Sequence, residues 1–509
     1  MLPRALARAS RLRVTAACSA ALLVGARVAA AQDVAAERQD LRPHILFVFA
    51  DDLRADALGA AGNPAIRTPR LDALAASGAS FRRAYCLGGP HGAICVPSRA
   101  MLHTGRAYFG LDERDFDGAR TLGEALGAAG YTTFATGKWH NGDRAFVRSF
   151  QSARSVLFSG MSDHFNLPVR DLVDGELGRE RRETTHSSEL FADAAVEFLS
   201  GHEGSSPFFC YLAFTAPHDP RDAPAPWSLR QGADLPPLPP NFAPQQPWDI
   251  GMMTVRDEML APWPRPEAVV RQQLGEYYAL IEHMDHELGR VLDALAARED
   301  GRPTLVVFAA DNGLALGSHG LLGKQSVFEH SLRVPLIIAG PGAPPGASLN
   351  GLVYLADLYP TLLGAALVPP DTTPEATPGP GARLGRSLWP LLRGERDAVR
   401  DSLFLAVGTT QRAVTDGRYK LILYPEIARA RLFDLASDPF ERFDLVGRPE
   451  HAARVEALTA RLAAWQQELG DGAPLSVAAP REAAIDLTGA ARTPDRWQPS
   501  WIRVKYFGE

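Results

Sequence analysis

Four short apolar runs, each ending abruptly in charged or imidazole side chains, constrain this chain more than any other feature. His44 to Ala50 (HILFVFA) is followed by Asp51-Asp52, and Thr304 to Ala310 (TLVVFAA) by Asp311-Asn312-Gly313. A run from Tyr131 to Thr136 leads to Lys138 and His140, and Phe208 to Phe214 leads to His218. Continuous apolar runs of this length read as strands buried on both faces, the pattern of a parallel sheet. Helical patterns lie between them. Thr68-Pro69 opens a helix that buries Leu71 and Leu74 and stops at Gly78, with Thr68 as N-cap. Thr121 caps a second helix closing at Gly130; amphipathic stretches cover Ser188 to Leu199 and Pro266 to Arg298. Val334 to Ala339 is a further buried strand. The alternation predicts an α/β fold: a large, mostly parallel sheet sandwiched by helices.

Past a Pro/Gly-rich connector at about Pro369 to Arg386 the pattern changes. Leu403 to Val407, Gln411 to Val414 and Arg418 to Tyr424 are short strands, with Asp416-Gly417 as a hairpin turn, and Arg454 to Leu469 is an amphipathic helix. We therefore expect a catalytic domain over residues 32–385 and a smaller antiparallel α+β subdomain over 386–509. The proline-rich, aperiodic stretch from Ala216 to Pro266 reads as a wall or lid of a site. The first 31 residues read as a cleaved signal peptide: Arg4, Arg8, Arg11 and Arg13, an apolar stretch from Val14 to Val28, then Ala29-Ala30-Ala31. That predicts export to the periplasm or beyond, with no stable membrane span after cleavage. Cys86, Cys95 and Cys210 then remain, and an odd count asks for a free or modified thiol. Cys86 and Cys210 are the two that could pair. A net charge of −6 with mixed signs argues against nucleic acid as a partner.

In open α/β sheets ligands bind outside the carboxyl ends of the strands. Here those ends gather carboxylates, amines and imidazoles. Asp51, Asp52, Asp311 and Asn312 offer three carboxylates and an amide oxygen, a donor set for a hard divalent cation such as Ca²⁺ or Mg²⁺. Between the strands stands Cys95-Val96-Pro97-Ser98-Arg99, running on to Thr104-Gly105-Arg106. With Thr136-Gly137-Lys138-Trp139-His140, Pro217-His218, Asp311-Asn312-Gly313 and Gly323-Lys324 in this order, the chain resembles the sulfatase family of the alkaline-phosphatase superfamily, from about His44 to Pro341. Asp416-Gly417-Arg418-Tyr419-Lys420 and Leu432-Phe433-Asp434-Leu435 look like that family's small second domain.

The resemblance implies a chemistry. Cys95 would be oxidised by a formylglycine-generating enzyme, and the hydrated aldehyde would attack sulfur and then expel sulfate, so water never attacks sulfur itself. Asp51, Asp52, Asp311 and Asn312 would hold Ca²⁺, with the nucleophile at Cys95 as a further ligand. Arg99 would orient the diol, Lys138 would bind diol and sulfate, and His140 would take the diol proton. His218 and Lys324 would bind sulfate and help protonate the leaving oxygen. The expected substrate is a sulfated small molecule or glycan fragment. Two other readings stay open: a phosphonate monoester or phosphodiester hydrolase sharing a Cys-x-Pro-x-Arg nucleophile, and an inactive binding protein on the same fold. His91, His319 and His330 flank the motif blocks without a role, Glu329 and Arg333 can pair across a helical turn, and Asp219 and Arg221 are candidates for substrate choice.

Overall fold

The computed structural model describes residues 42–229, 234–368, 379–494 and 500–508. The signal segment, with Cys18, and most of the Pro369 to Arg386 connector lie outside the described residues. Among the described residues no helix is long and apolar enough to cross a membrane.

Among the described residues an eleven-stranded sheet organises the fold. Five neighbouring strands are parallel, in the order Ser152–Leu157, Thr132–Lys138, Phe208–Ala213, His44–Ala50 and Thr304–Ala310. Every residue of His44–Ala50 and Phe208–Ala213 is buried, as two helix-covered faces require. Ser187–Gly201 and Glu267–Ala296 are among the covering helices, and they pack against each other.

The parallel pattern stops on both sides. Leu336–Ala339 runs antiparallel to Thr304–Ala310, and Gly78–Phe81 antiparallel to it. Val334 leaves this sheet and pairs with Ala84 in a small second one. Beyond Ser152–Leu157 an antiparallel edge, Leu167–Val173 with Arg181–Glu183, carried no clear sequence signal: Leu167, Val169 and Leu172 are buried at irregular spacing and the rest are partly or fully exposed. The large sheet is therefore mixed, with a parallel centre.

Local sequence explains several boundaries. Thr121 and Glu124 form a reciprocal capping box at the start of Leu122–Ala128. Thr68, expected as an N-cap, makes no capping bond; its hydroxyl donates to Asp72 Oδ1 at 2.9 Å and accepts from the Gly59 N–H. Capping would need the hydroxyl oxygen to accept a helix N–H, and here that oxygen accepts from Gly59 instead.

The C-terminal sheet is antiparallel over Leu403–Val407, Gln411–Thr415, Tyr419–Tyr424 and Arg429–Asp434, and the helix Ala452–Leu469 covers it. Gly88–Gly89, just before the Cys95 motif, adds a parallel fifth strand. A second tie is ionic. Fully buried Lys420 bridges Glu329 (3.0 Å) and Glu441 (2.9 Å), and Tyr85 donates to Glu329 at 2.9 Å. The smaller sheet is thus bonded to the segments that flank the site.

Candidate active site

The strand ends meet as their composition predicts. Asp51 and Asp52 leave His44–Ala50, Lys138 ends Thr132–Lys138, and Asp311 and Asn312 leave Thr304–Ala310. The helix Cys95–Thr104 begins above them and is buried throughout. Its end is set by Gly105, which takes φ 68° and returns its N–H to Met101 O. Gly137 is fixed by a close approach: with φ 97°, a Cβ there would lie 1.9 Å from Ala213 O. Asp52 and His140 adopt left-handed φ values of 64° and 67°, a conformation costing about 1–3 kcal/mol that is concentrated at functional sites.

Cys95 Sγ is 3.1 Å from His140 Nδ1, 3.9 Å from Lys138 Nζ and 4.0 Å from Lys324 Nζ. Lys138 donates to Asp51 Oδ2, and Lys324 to Asp52 Oδ1 at 2.6 Å. Asn312 Nδ2 also donates to Asp52 Oδ1, at 2.7 Å. His218 Nε2 lies 3.6 Å from Asp52 Oδ2. Arg99, wholly buried, places Nε and Nη2 on Asp311 Oδ2 at 3.1 and 3.0 Å and Nη1 on Lys138 O at 2.8 Å. Ser98 donates to Asp311 O at 2.7 Å, pinning the helix to the Asp311 turn. All ten residues singled out as catalytic or metal-binding therefore fall in one constellation. Burial and the neighbouring Asp311 push the Asp51 carboxyl well above the usual range, while Arg99 and Lys138 outweigh burial and hold Asp311 below it. Burial, with Lys138, pushes His140 well below its usual range, while burial raises the Cys95 thiol to about 11 against the opposing pull of Lys138 and Lys324.

A hard cation fits this donor set. Asp51 Oδ1 and Asn312 Oδ1 are buried oxygens without a hydrogen-bond partner, a costly condition that a cation relieves. Ligand atoms of Asp51, Cys95 and Asp311 lie within 4.8 Å of one another.

The family model for sulfatases matches residues 43–368, more than half of the chain. The chain belongs to the sulfatase family. It is an enzyme of the sulfuric ester hydrolase class. A second model, for the C-terminal part of N-sulphoglucosamine sulphohydrolase, matches residues 317–468. The arylsulfatase of Clostridium perfringens is 26% identical to this sulfatase over 464 residues, covering 82% of this chain and 93% of its own. The ulvan-active sulfatase of Formosa agariphila is 26% identical, covering 90% and 89%. A solved structure bound to its substrate, D-glucosamine-2-N,6-O-disulfate, superposes with a TM-score of 0.68 at 23% identity, over 85% of this chain and 99% of that one, a likeness of fold.

The sulfatase opens to solvent through a cavity of about 340 Å³ above Cys95, His140, His218 and Lys324. Its wall also holds Arg256, Asp257 and Gln325, which sequence reading missed: Arg256 and Asp257 lie in the aperiodic Ala216 to Pro266 stretch, which hinted only at a wall, and Gln325 follows the Gly323-Lys324 block without being marked by it. Arg221 donates to Gln273 on the long helix and does not line the cavity. Asp219 lies behind the wall, paired with Arg256. His319 stacks on Phe328 and His330 bonds Ser331, so both are structural. His91 sits near the rim, paired with Glu113. Glu329 and Arg333 do pair, at 3.1 Å. Cys86 and Cys210 are free and buried in the core, not bridged.

Proposed function

We propose that this sulfatase hydrolyses a sulfate ester of a carbohydrate, using formylglycine made from Cys95 and a Ca²⁺ ion held by Asp51, Asp52, Asp311 and Asn312. The observation that carries this reading is the Cys95 side chain set between His140 and two lysines, beside a carboxylate and an amide that each have an orphaned oxygen, on Asp51 and Asn312. Sugars are favoured by the relatives: one is named for ulvan, and one structure holds a sulfated glucosamine.

The modified side chain would supply a gem-diol, one oxygen to attack sulfur and a second to expel sulfate. The cation would act as Lewis acid toward sulfate. The remaining tasks belong to ordinary side chains. His140 Nδ1, already against the nucleophile position and kept neutral by burial, accepts its proton. Arg99, locked by four hydrogen bonds, holds the helix start and Asp311 in register. Lys138 and Lys324 neutralise sulfate oxygens from fixed positions, so no solvent need reorganise as charge shifts. His218 and Lys324, on the cavity side, deliver a proton to the leaving alcohol. The sum is an ester and water giving an alcohol and bisulfate.

The basic-then-apolar N-terminal segment supports export, where polysaccharide fragments are found. Peptide mass spectrometry across Cys95, in protein made with its maturation enzyme, tests the nucleophile. An aldehyde or its hydrate is expected; a thiol in fully active enzyme would exclude the mechanism. Parallel assays on a sulfate ester and phosphate esters of one alcohol test the class, and faster phosphodiester turnover would reassign it.

A further inference from the structure

The cavity has two unlike halves. Around Cys95 it is crowded with cations and imidazoles. Apart from Lys324, Arg256 is the one cation among the described lining residues, and its charge is already spent. Asp219 takes both terminal nitrogens of Arg256, and Asp257 Oδ1 takes Nη1 at 2.7 Å. One guanidinium lies between two carboxylates, and Arg221 acts on Asp219 as well, so the charges of this wall compensate one another. It offers a second sulfate or a uronate no unpaired cation.

The same triad suits hydroxyl groups. A guanidinium has five N–H donors, and the three bonds above leave an Nη2 N–H in addition to the buried Nε. Asp257 accepts from Arg256 through Oδ1 and from Gln325 Nε2 through Oδ2 at 2.8 Å, so each oxygen keeps a lone pair. The side chains are 20% and 10% exposed, enough to be touched from the cavity and little enough to be held. A charged donor beside a charged acceptor matches a group that both accepts and donates, which a hydroxyl does and a sulfate or an aryl ring does not.

The wall is also rigid and tied to the reacting end. Gln325 follows Lys324 and anchors Asp257 to Gly92 O at 2.8 Å. Glu258 accepts the Leu322 and Gly323 N–H groups at 3.0 and 2.8 Å and pairs with Arg265. Ile502 and Tyr506 pack on Leu260 from outside.

We propose that Arg256 and Asp257 form the sugar-binding half of this site and select a ring that is uncharged apart from the sulfate being removed. This rests on the sulfatase reading above. The mature enzyme, with Cys95 conversion verified, is assayed on 4-nitrophenyl sulfate, on a panel of hexose monosulfates (galactose 4- and 6-sulfate, glucose 6-sulfate, N-acetylglucosamine 6-sulfate) and on glucosamine-2-N,6-O-disulfate. The best monosulfate should exceed the disulfate in kcat/KM by at least about 10-fold. In Asp257→Asn, kcat/KM for that monosulfate relative to 4-nitrophenyl sulfate should fall about 10- to 100-fold, chiefly through KM, the scale of one hydrogen bond to a charged group. Gln325→Met, which frees Asp257, should move the ratio the same way if the first variant does not fold. No turnover of any ester would overturn the sulfatase reading itself. Turnover of 4-nitrophenyl sulfate with the disulfate preferred, or with the ratio unmoved in both variants, would overturn only the assignment of the wall.

Discussion

Replacing Arg99 by methionine keeps most of the buried stem and deletes the charge. Four hydrogen bonds go: two onto Asp311 Oδ2, one onto Lys138 O and a longer one, at 3.4 Å, onto the Tyr211 hydroxyl. Asp311 Oδ2 is left with no solvent, and Asp51 Oδ1 beside it already has no partner. Removing one member of a buried pair costs about 3–5 kcal/mol, because the other charge remains in a medium that cannot solvate it. That is a large share of the roughly 5–15 kcal/mol that holds a typical domain folded. With m near 3 kcal/mol/M or more for a large chain, the urea midpoint should fall by about 1 M in the presence of chelator. Saturating Ca²⁺ should recover part of the loss, since a cation at Asp311 replaces the missing counter-charge. The variants Arg99→Met, Asp311→Asn and their combination, melted in urea with chelator and with Ca²⁺, isolate the pair. A loss below about 1 kcal/mol in chelator, or additive single losses, would refute the claim that this ion pair holds the site together.

Cys95→Ala should abolish turnover while near-ultraviolet circular dichroism and melting temperature stay close to wild type; retained activity would remove Cys95 from the mechanism. Thorough chelation should lower both activity and melting temperature, since a ligand at 100 times its Kd stabilises the folded state by about 2.7 kcal/mol, and an unchanged melt would count against the oxygen-ligand site. Lys420→Met should destabilise by about 3–5 kcal/mol by stranding Glu329 and Glu441. Burial raises Glu441 to about 7, so the folded state holds a proton there that the unfolded state loses above its ordinary carboxyl range; the variant's loss should therefore be largest above pH 7 and shrink toward pH 5, and urea melts giving the opposite slope would refute the buried clasp.

The central strands were legible because burial on both faces demands continuous apolar runs, and their charged ends were legible because a carboxylate after such a run needs a stated reason. The sheet's direction was not. Leu336–Ala339 has the composition of its parallel neighbours and runs antiparallel, a property of the connection and not of the strand's residues. The partly buried edge beyond Ser152–Leu157 left too weak an alternation to read.

The sequence by itself determined the reacting half of the site. The proposed formylglycine chemistry and hard cation each require particular side chains, and Cys95, Arg99, Asp51, Asp311 and the two lysines stand in motifs that announce them. The tertiary structure alone decided the rest. Arg256, Asp257 and Gln325 come together from a loop without periodicity and from the Lys324 turn, and their meaning lies in who neutralises whom. Charge compensation is a matter of a few ångströms in space. No spacing along the chain records that Asp219, 37 residues before Arg256, has already taken its charge.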